Sequence, residues 1–371
     1  MIDLLNLNKN ELRDLVASLD EPAYRAAQIE RWTYGRELAT DFDAMTDLPR
    51  NLRARLNESA RIGAPRAIAE HTSADGLTRK ALLQLDDGQT IEAVLMLYPD
   101  TPDRAFDQTP RRERRTVCVS TQVGCPIGCP FCATGQAGYL RNLTPGEIVA
   151  QVLHFAREQK PTPLTNVVIM GMGEPFMKFD VTWQAIESLT DAARFGMGAR
   201  RITVSTSGEI PGIERLAREQ LQINLAVSLH APDDALRDVL VPLNRKYPLR
   251  DLMRAVRAYA EQTRRRVTFE YALMDRVNDK PEQARALARM LRGSGVTLPL
   301  LCHVNLIPLN PTSASPYRRS PDPRVIAFEK ILRDANIPTT LRVEKGIEIA
   351  AGCGQLRQAA VKSRTTDKEE K

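Results

Sequence analysis

An α/β fold is predicted, in which a small N-terminal helical domain and a β-hairpin connector precede a partial (βα)6 barrel. Three patterns carry this expectation. Short β-branched runs alternate with helical periods about six times after residue 116, a period of two flanks the turn dipeptide Asp87-Gly88, and a helical period alone runs through the first 60 residues. With 371 residues, 43% of them hydrophobic, the chain can bury one large core and a smaller companion without disulfide support.

Taken in order, Glu11-Leu12-Arg13-Asp14-Leu15-Val16 and Ala26-Ala27-Gln28-Ile29-Glu30-Arg31-Trp32 read as short helices of a domain over residues 1–60. Residues 61–110 read as the connector, with strands Ala81-Leu82-Leu83-Gln84-Leu85 and Thr90-Ile91-Glu92-Ala93-Val94-Leu95 joined at Asp87-Gly88. A Pro-, Asp- and Arg-rich stretch over 101–115 marks a loop or a boundary. The core follows over 111–348, with strands expected at 117–120, 166–170, 201–205, 224–230, 267–273, 302–308 and 339–343. Helices lie between them, for example at 144–159, where Thr144-Pro145-Gly146-Glu147 combines a capping box with a first-turn proline. A doubly wound sheet would give the same rhythm. Residues 349–371 read as a cysteine loop followed by a charged tail too polar to pack.

Alternation within the strands bears on function. Asn224, Ala226, Ser228 and His230 share one face, opposite Leu225, Val227 and Leu229. Cys118 and Ser120 likewise oppose Val117 and Val119, and Thr203 and Ser205 oppose Ile202 and Val204. With apolar helices outside, the small and polar set must face the barrel interior, which suits a lumen that holds a ligand.

A net charge of +6 and a pI near 9.0 fit an anionic partner. Arg111-Arg112-Glu113-Arg114-Arg115 and Arg264-Arg265-Arg266 could hold phosphates or form solvated faces. Polar residues interrupt Met1-Ile2-Asp3-Leu4-Leu5-Asn6, and no early run has the apolar length of a signal peptide or membrane span, so a cytoplasmic protein is expected. In a reducing compartment its six cysteines are ligands or catalytic groups rather than disulfides. His71, His154 and His303 lack metal-ligand spacing and receive no role.

Cys125-Pro126-Ile127-Gly128-Cys129-Pro130-Phe131-Cys132 is a CxxxCxxC loop directly after the first barrel strand. Three thiolates can bind three irons of a four-iron cluster and leave the fourth iron open to the amino and carboxylate groups of a small molecule. The alternative is a zinc ion completed by Cys118 or Cys353, in a zinc-stabilised RNA-binding module without catalysis. Gly171-Met172-Gly173-Glu174-Pro175 follows the second strand, and by itself is a turn signal.

Together these motifs resemble the radical-SAM superfamily, and the resemblance narrows to the RlmN/Cfr family of RNA methyltransferases over nearly the whole chain. Its segments are Arg25 to Trp32, Cys125 to Gly138, Gly171 to Pro175, Ser205-Thr206-Ser207-Gly208, Ser228-Leu229-His230-Ala231-Pro232, Leu306-Ile307-Pro308-Leu309-Asn310-Pro311 and Gly352-Cys353-Gly354. The resemblance implies a 4Fe-4S cluster on Cys125, Cys129 and Cys132. It also implies S-adenosylmethionine, two per turnover as methyl donor and radical source, contacted by Gly173, Glu174, Ser205, Ser228, Leu229, His230 and Asn310. Cys353 would carry the transferred methyl, Cys118 would form a disulfide with Cys353, and Glu92, otherwise a solvated strand carboxylate, would be the proton acceptor. The N-terminal helices would help bind RNA.

Cys132-Ala133-Thr134-Gly135 looks more like the C2-methylating branch of the family than the C8-methylating Cfr branch. The implied targets are an adenosine at the peptidyl-transferase centre of 23S rRNA and the adenosine 3' to the anticodon in some tRNAs. A flavodoxin-like electron donor and a monomer are expected with them. An adenine carbon between two nitrogens is too electron-poor to attack an electrophilic methyl group, whereas a thiolate attacks it readily, so a cysteine carrier makes chemical sense. Glycines on both sides of Cys353 give that loop reach. Cys302 falls outside the ligand pattern and reads as a small buried hydrophobe.

Overall fold

The structure, a computed structural model, describes residues 1–99, 113–293, 300–310 and 315–342. Cys353, the charged tail and Arg111-Arg112 lie outside the described residues.

The first 60 residues fold as three helices, α1 (Lys9–Ser18), α2 (Tyr24–Tyr34) and α3 (Arg50–Ser59), with a short parallel pair of β1 (Ile2–Asp3) and β2 (Ala60–Arg61) closing the unit. Asn8 and Glu11 form a reciprocal capping box that starts α1. The apolar faces of these helices, including Leu12, Val16, Ile29, Leu52 and Leu56, join the same hydrophobic core as the barrel. Polar ties reinforce the contact. The Asn6 side chain accepts from the Gly146 backbone N–H at 2.8 Å, and buried Arg194 donates to Glu30 at 2.7 Å, Ser188 at 2.8 Å and the Leu7 carbonyl at 3.0 Å.

Antiparallel strands β3 (Arg66–Thr72), β4 (Thr78–Gln84) and β5 (Thr90–Tyr98) come next, and β5 pairs with the first barrel strand, β6 (Arg114–Cys118). The cysteine loop is bracketed by a small hairpin, β7 (Gln122–Gly124) and β8 (Tyr139–Asn142), with the one-turn α4 (Ala133–Gln136) between them. The βα array then runs through α5 (Pro145–Glu158), β9 (Asn166–Ile169), α6 (Phe179–Thr190), β10 (Ile202–Thr206), α7 (Ile210–Leu216) and β11 (Asn224–Ser228). It continues with α8 (Asp234–Leu240), α9 (Leu249–Thr263), β12 (Val267–Leu273), α10 (Pro281–Arg292), β13 (Cys302–Pro308), α11 (Asp322–Asp334) and β14 (Thr339–Leu341). Strands β6 and β9 to β14 are parallel neighbours in that order, with helices in the crossovers.

Three details differ from expectation. The connector has a third strand, β3, whose residues Arg66 to Thr72 lack clean alternation and whose register slips between Ala67 and Ala69. It is also no free-standing hairpin, because β3, β4 and β5 extend the barrel sheet to ten strands. The first barrel strand begins inside the Arg-rich stretch, since pairing with β5 from Val94↔Cys118 to Tyr98↔Arg114 imposes the extended conformation there.

Outward side chains Val117, Val167, Ile202, Val204, Leu225, Val227, Phe269 and Val304 pack into the main core. The opposite face carries Cys118, Thr203, Ser205, Ala226, Ser228, Glu270, His303 and Asn305. Arg342, just past β14, reaches the Met96 sulfur on β5 at 3.7 Å. The two ends of the run β5 to β14 therefore approach one another across the lumen, as a partial barrel requires and a flat doubly wound sheet does not allow.

Arg194→Ala should leave Glu30 buried without its cation and lower stability by roughly 3–5 kcal/mol. Urea denaturation followed by circular dichroism would measure it, and a loss under about 1 kcal/mol would contradict the role given to this pair.

Candidate active site

The cysteine loop owes its shape to backbone packing. Gly124, at φ 86°, lies so close to Gly138 that a Cβ would meet the Gly138 carbonyl oxygen at 2.0 Å, while Gly128 turns the chain at φ 73°. Cys125 N–H bonds to the Gly138 carbonyl at 2.9 Å, Cys132 N–H to the Cys129 carbonyl at 3.1 Å, and Gln136 caps the Pro130 carbonyl at 2.7 Å. Burial first, then repulsion from the Cys132 sulfur, pushes the Cys125 thiol up to about 12. Cys129 is raised well above the ordinary thiol range for the same reasons. The Cys125 and Cys129 thiols thus do not ionise easily without a bound cation.

That donor set fits an iron-sulfur cluster better than zinc. Tetrahedral zinc draws its sulfurs to about 3.8 Å apart. Among the described residues, the only group of three potential ligand atoms all within 4.8 Å of one another belongs to Glu70, His154 and Glu158, so the three cysteine sulfurs are not gathered around a point. Cys118 sits in a different setting, beside Arg342, Lys80 and Glu92.

The Gly-rich turn after β9 builds the adjoining wall. Gly173 adopts φ 108°, and a Cβ there would come within 2.7 Å of the Gln122 side chain. Glu174 is buried, and its carboxylate accepts from the Ser207 backbone at 2.6 Å, the Ser207 hydroxyl at 2.5 Å and the Phe176 backbone at 3.2 Å. Burial raises its carboxyl above the usual range, and the Ser207 bonds oppose that rise. In this structure Glu174 therefore braces the turn after β10. Ser205 and Ser228 hydroxyls lie 3.4 Å apart on neighbouring strands.

His230, at φ 60°, lies two residues beyond β11 and turns its ring towards the cysteine loop. Its Nδ1 accepts from the Ala272 N–H at 3.0 Å, and its ring meets Phe131 of the cysteine loop edge-on at 5.0 Å. Burial, helped by the Arg237 charge, drops it to about 3, so the imidazole is neutral and the bond to Nδ1 leaves the proton on Nε2. Leu229 differs, because its side chain belongs to the outer core and its carbonyl accepts from Arg237 at 3.1 Å. Asn310 is half-buried at the end of the segment after β13.

Glu92 and Cys118 meet on the other side of the lumen. Glu92 is buried, not solvated as its strand position alone implied, and it pairs with fully buried Lys80 at 2.8 Å. Burial pushes the Cys118 thiol up to about 11 against the pull of Arg342 and Lys80.

Sequence reasoning missed Arg237, which is fully buried and donates to the Ser207, Ser228 and Leu229 carbonyls and to Asn244. It ties the ends of β10 and β11 beside Cys129, and burial pulls its guanidinium down to about 10. No local signal marked it, since an arginine on a short helix normally faces solvent. His154, given no role, lies 2.9 Å from Glu158 and 3.4 Å from Glu70, while Arg79 holds Glu158 at 2.7 Å, a network that pins β3 and β4 to α5. Cys302 is buried, as its reading as a small hydrophobe required.

A CxxxCxxC loop and a Gly-rich turn at the strand ends of a partial βα barrel define a radical SAM enzyme, and residues 119–288 match the radical SAM superfamily model. Residues 2–62 match the N-terminal domain of ribosomal RNA large subunit methyltransferases. The chain is 53% identical over 360 residues to a probable dual-specificity RNA methyltransferase RlmN of Chloroflexus aurantiacus, covering 95% of this chain and 92% of that one. It is 46% identical to ribosomal RNA large subunit methyltransferase N of Nitrosopumilus maritimus, covering 96% and 99%. The crystal structure of a radical SAM methyltransferase from Sphaerobacter thermophilus superposes with a TM-score of 0.88 at 51% identity, covering 96% and 99%. The chain belongs to the RlmN family of radical SAM RNA methyltransferases, a membership that implies a 4Fe-4S cluster and S-adenosylmethionine.

Replacing Cys125, Cys129 or Cys132 by alanine should reduce iron from about four per chain to a trace and abolish formation of 5'-deoxyadenosine. Metal analysis of anaerobically purified protein checks this, and one zinc per wild-type chain would contradict the cluster.

Proposed function

We propose that this enzyme methylates C2 of an adenosine at the peptidyl-transferase centre of 23S rRNA and of the adenosine 3' to the anticodon in some tRNAs, through a methylated Cys353. The carrying observation is the pairing of a three-sulfur loop at the strand ends with a separate thiol and carboxylate, Cys118 and Glu92, inside the lumen. When bound, the cluster supplies the electron that splits S-adenosylmethionine into methionine and a carbon radical.

The chain's own groups do the rest. Gly173, Glu174, Ser205, Ser228, Leu229, His230 and Asn310 bind S-adenosylmethionine, with two molecules used per turnover. For Leu229 the contact is through its backbone, and for Glu174 a contact competes with its bonds to Ser207. Cys353 carries the methyl group to the base, Cys118 is the thiol that releases the product by forming a disulfide with it, and Glu92 accepts a proton. Residues 1–60 contribute RNA contacts, and 349–371 carry the catalytic-cysteine loop. A flavodoxin-like donor, a monomeric state and a cytoplasmic setting complete the proposal. No described helix is long and apolar enough to cross a membrane.

Cys353→Ala should abolish RNA methylation, while Cys118→Ala should leave RNA covalently attached to protein, visible as a nuclease-sensitive mass shift. Methylation of RNA by Cys353→Ala would overturn the carrier mechanism. Mass mapping of 23S rRNA and tRNA from a deletion strain should show loss of 2-methyladenosine, and loss of 8-methyladenosine instead would assign the chain to the C8 reaction.

A further inference from the structure

The lumen contains a fully buried cation with no part in the chemistry above. Lys80 on β4 places its Nζ 2.8 Å from Oε2 of Glu92 on β5. Register fixes the arrangement, with Lys80 opposite Val94, Leu82 opposite Glu92, and Val94 opposite Cys118, so that Lys80, Glu92 and Cys118 project from three adjacent strands onto one face. Their sequence neighbours Ala81, Ile91, Ala93 and Val117 all enter the outer core, so the charged pair is confined to the lumen side. The Ser120 hydroxyl donates to the Glu92 carbonyl at 2.7 Å and fixes the strand. Desolvating two charges is expensive, and an apolar pair would support a sheet at least as well, which makes a purely structural role a poor explanation.

We propose that Lys80 is a positioning residue, whose ammonium group holds and orients the Glu92 carboxylate in the lumen so that it can take a proton during methylation of the RNA base. The inference rests on the reading of Glu92 as proton acceptor. In the step the C–H bond at the methylated ring carbon breaks, its proton passes to the Glu92 carboxylate and its electron pair stays with the base, so that Glu92 becomes neutral while Lys80 keeps its charge. Among the described residues, Cys118 on β6 and Arg342 beyond β14 share the electrostatic field of this pair. Arg342 is anchored separately, on Met96 and the Leu306 carbonyl, so it remains in place when Lys80 is changed.

The test compares reconstituted wild-type enzyme with Lys80→Met, Lys80→Arg and Glu92→Gln. Methylation of Cys353, read by mass spectrometry, reports folding and S-adenosylmethionine binding. RNA methylation measured from about pH 6 to about pH 9 reports the proton step. Lys80→Met should retain Cys353 methylation, lose roughly 100-fold in RNA methylation near neutrality, and recover as the pH rises, because removing a neighbouring cation disfavours the charged form of any buried carboxylate. Lys80→Arg should restore the wild-type profile. A wild-type rate and profile in Lys80→Met, alongside an inactive Glu92→Gln, would overturn the role of Lys80 and leave that of Glu92 standing. Full activity in Glu92→Gln would overturn the proton-acceptor reading itself. If Lys80→Met does not fold, Lys80→Gln reads the same profile, and a wild-type profile there counts against the proposal equally.

Discussion

Each central strand of this sheet must serve two unlike environments, and the parity of its residues decides which side chain meets which. One face packs under helices and gains about 25 cal/mol for each Å² of apolar surface removed from water. The other face lines a lumen where every polar group needs a partner that the neighbouring strand brings into register. Ser205 meets Ser228, Asn305 donates to Glu270 at 2.8 Å, Thr340 donates to Asn305 at 3.1 Å, and Lys80 meets Glu92. A slip of one residue in any of these strands would send valines inward and charges into the core. The polar lining is thus also what locks the register.

At the strand ends the constraint changes from parity to closure of loops. Four acceptors converge on the Arg237 guanidinium, which holds the turns after β10 and β11 at a fixed separation. The turn after β10 in turn engages Glu174, and the segment after β11 presents His230 to Phe131 of the cysteine loop. The Gly-rich turn, the serine turn and the cysteine loop are therefore one mechanically connected rim. A side chain lost from this rim would disturb all three turns together, which explains why the recognisable motifs are short, widely spaced in sequence and adjacent in space.

Much of this was legible in the residues. β12 and β13 have the expected bounds, and the polar face was readable from the alternation in Asn224 to His230. What escaped notice depends on long-range pairing. β3 lacks an amphipathic pattern because it lies at the sheet edge, and the start of β6 is set by β5 rather than by its own arginines. Lys80 and Arg237 were invisible for a related reason, since nothing local distinguishes a lysine or arginine that will be buried from the many that stay in water. Their partners lie on other elements, and only the fold brings them together.

The position of the connector strands carries the last consequence. Were β4 and β5 a hairpin separate from the barrel, Lys80 and Glu92 would face solvent, where the pair would hold little energy and the carboxylate would be hydrated. Because β5 instead pairs directly with β6, the antiparallel extension becomes a wall of the lumen and sets a dry carboxylate against the Cys118 thiol. The rim carries the cysteine loop and the Gly-rich turn, and the extension carries the buried Lys80–Glu92 pair. Joining them in one sheet fixes the separation between the cysteine loop and the Lys80–Glu92 pair.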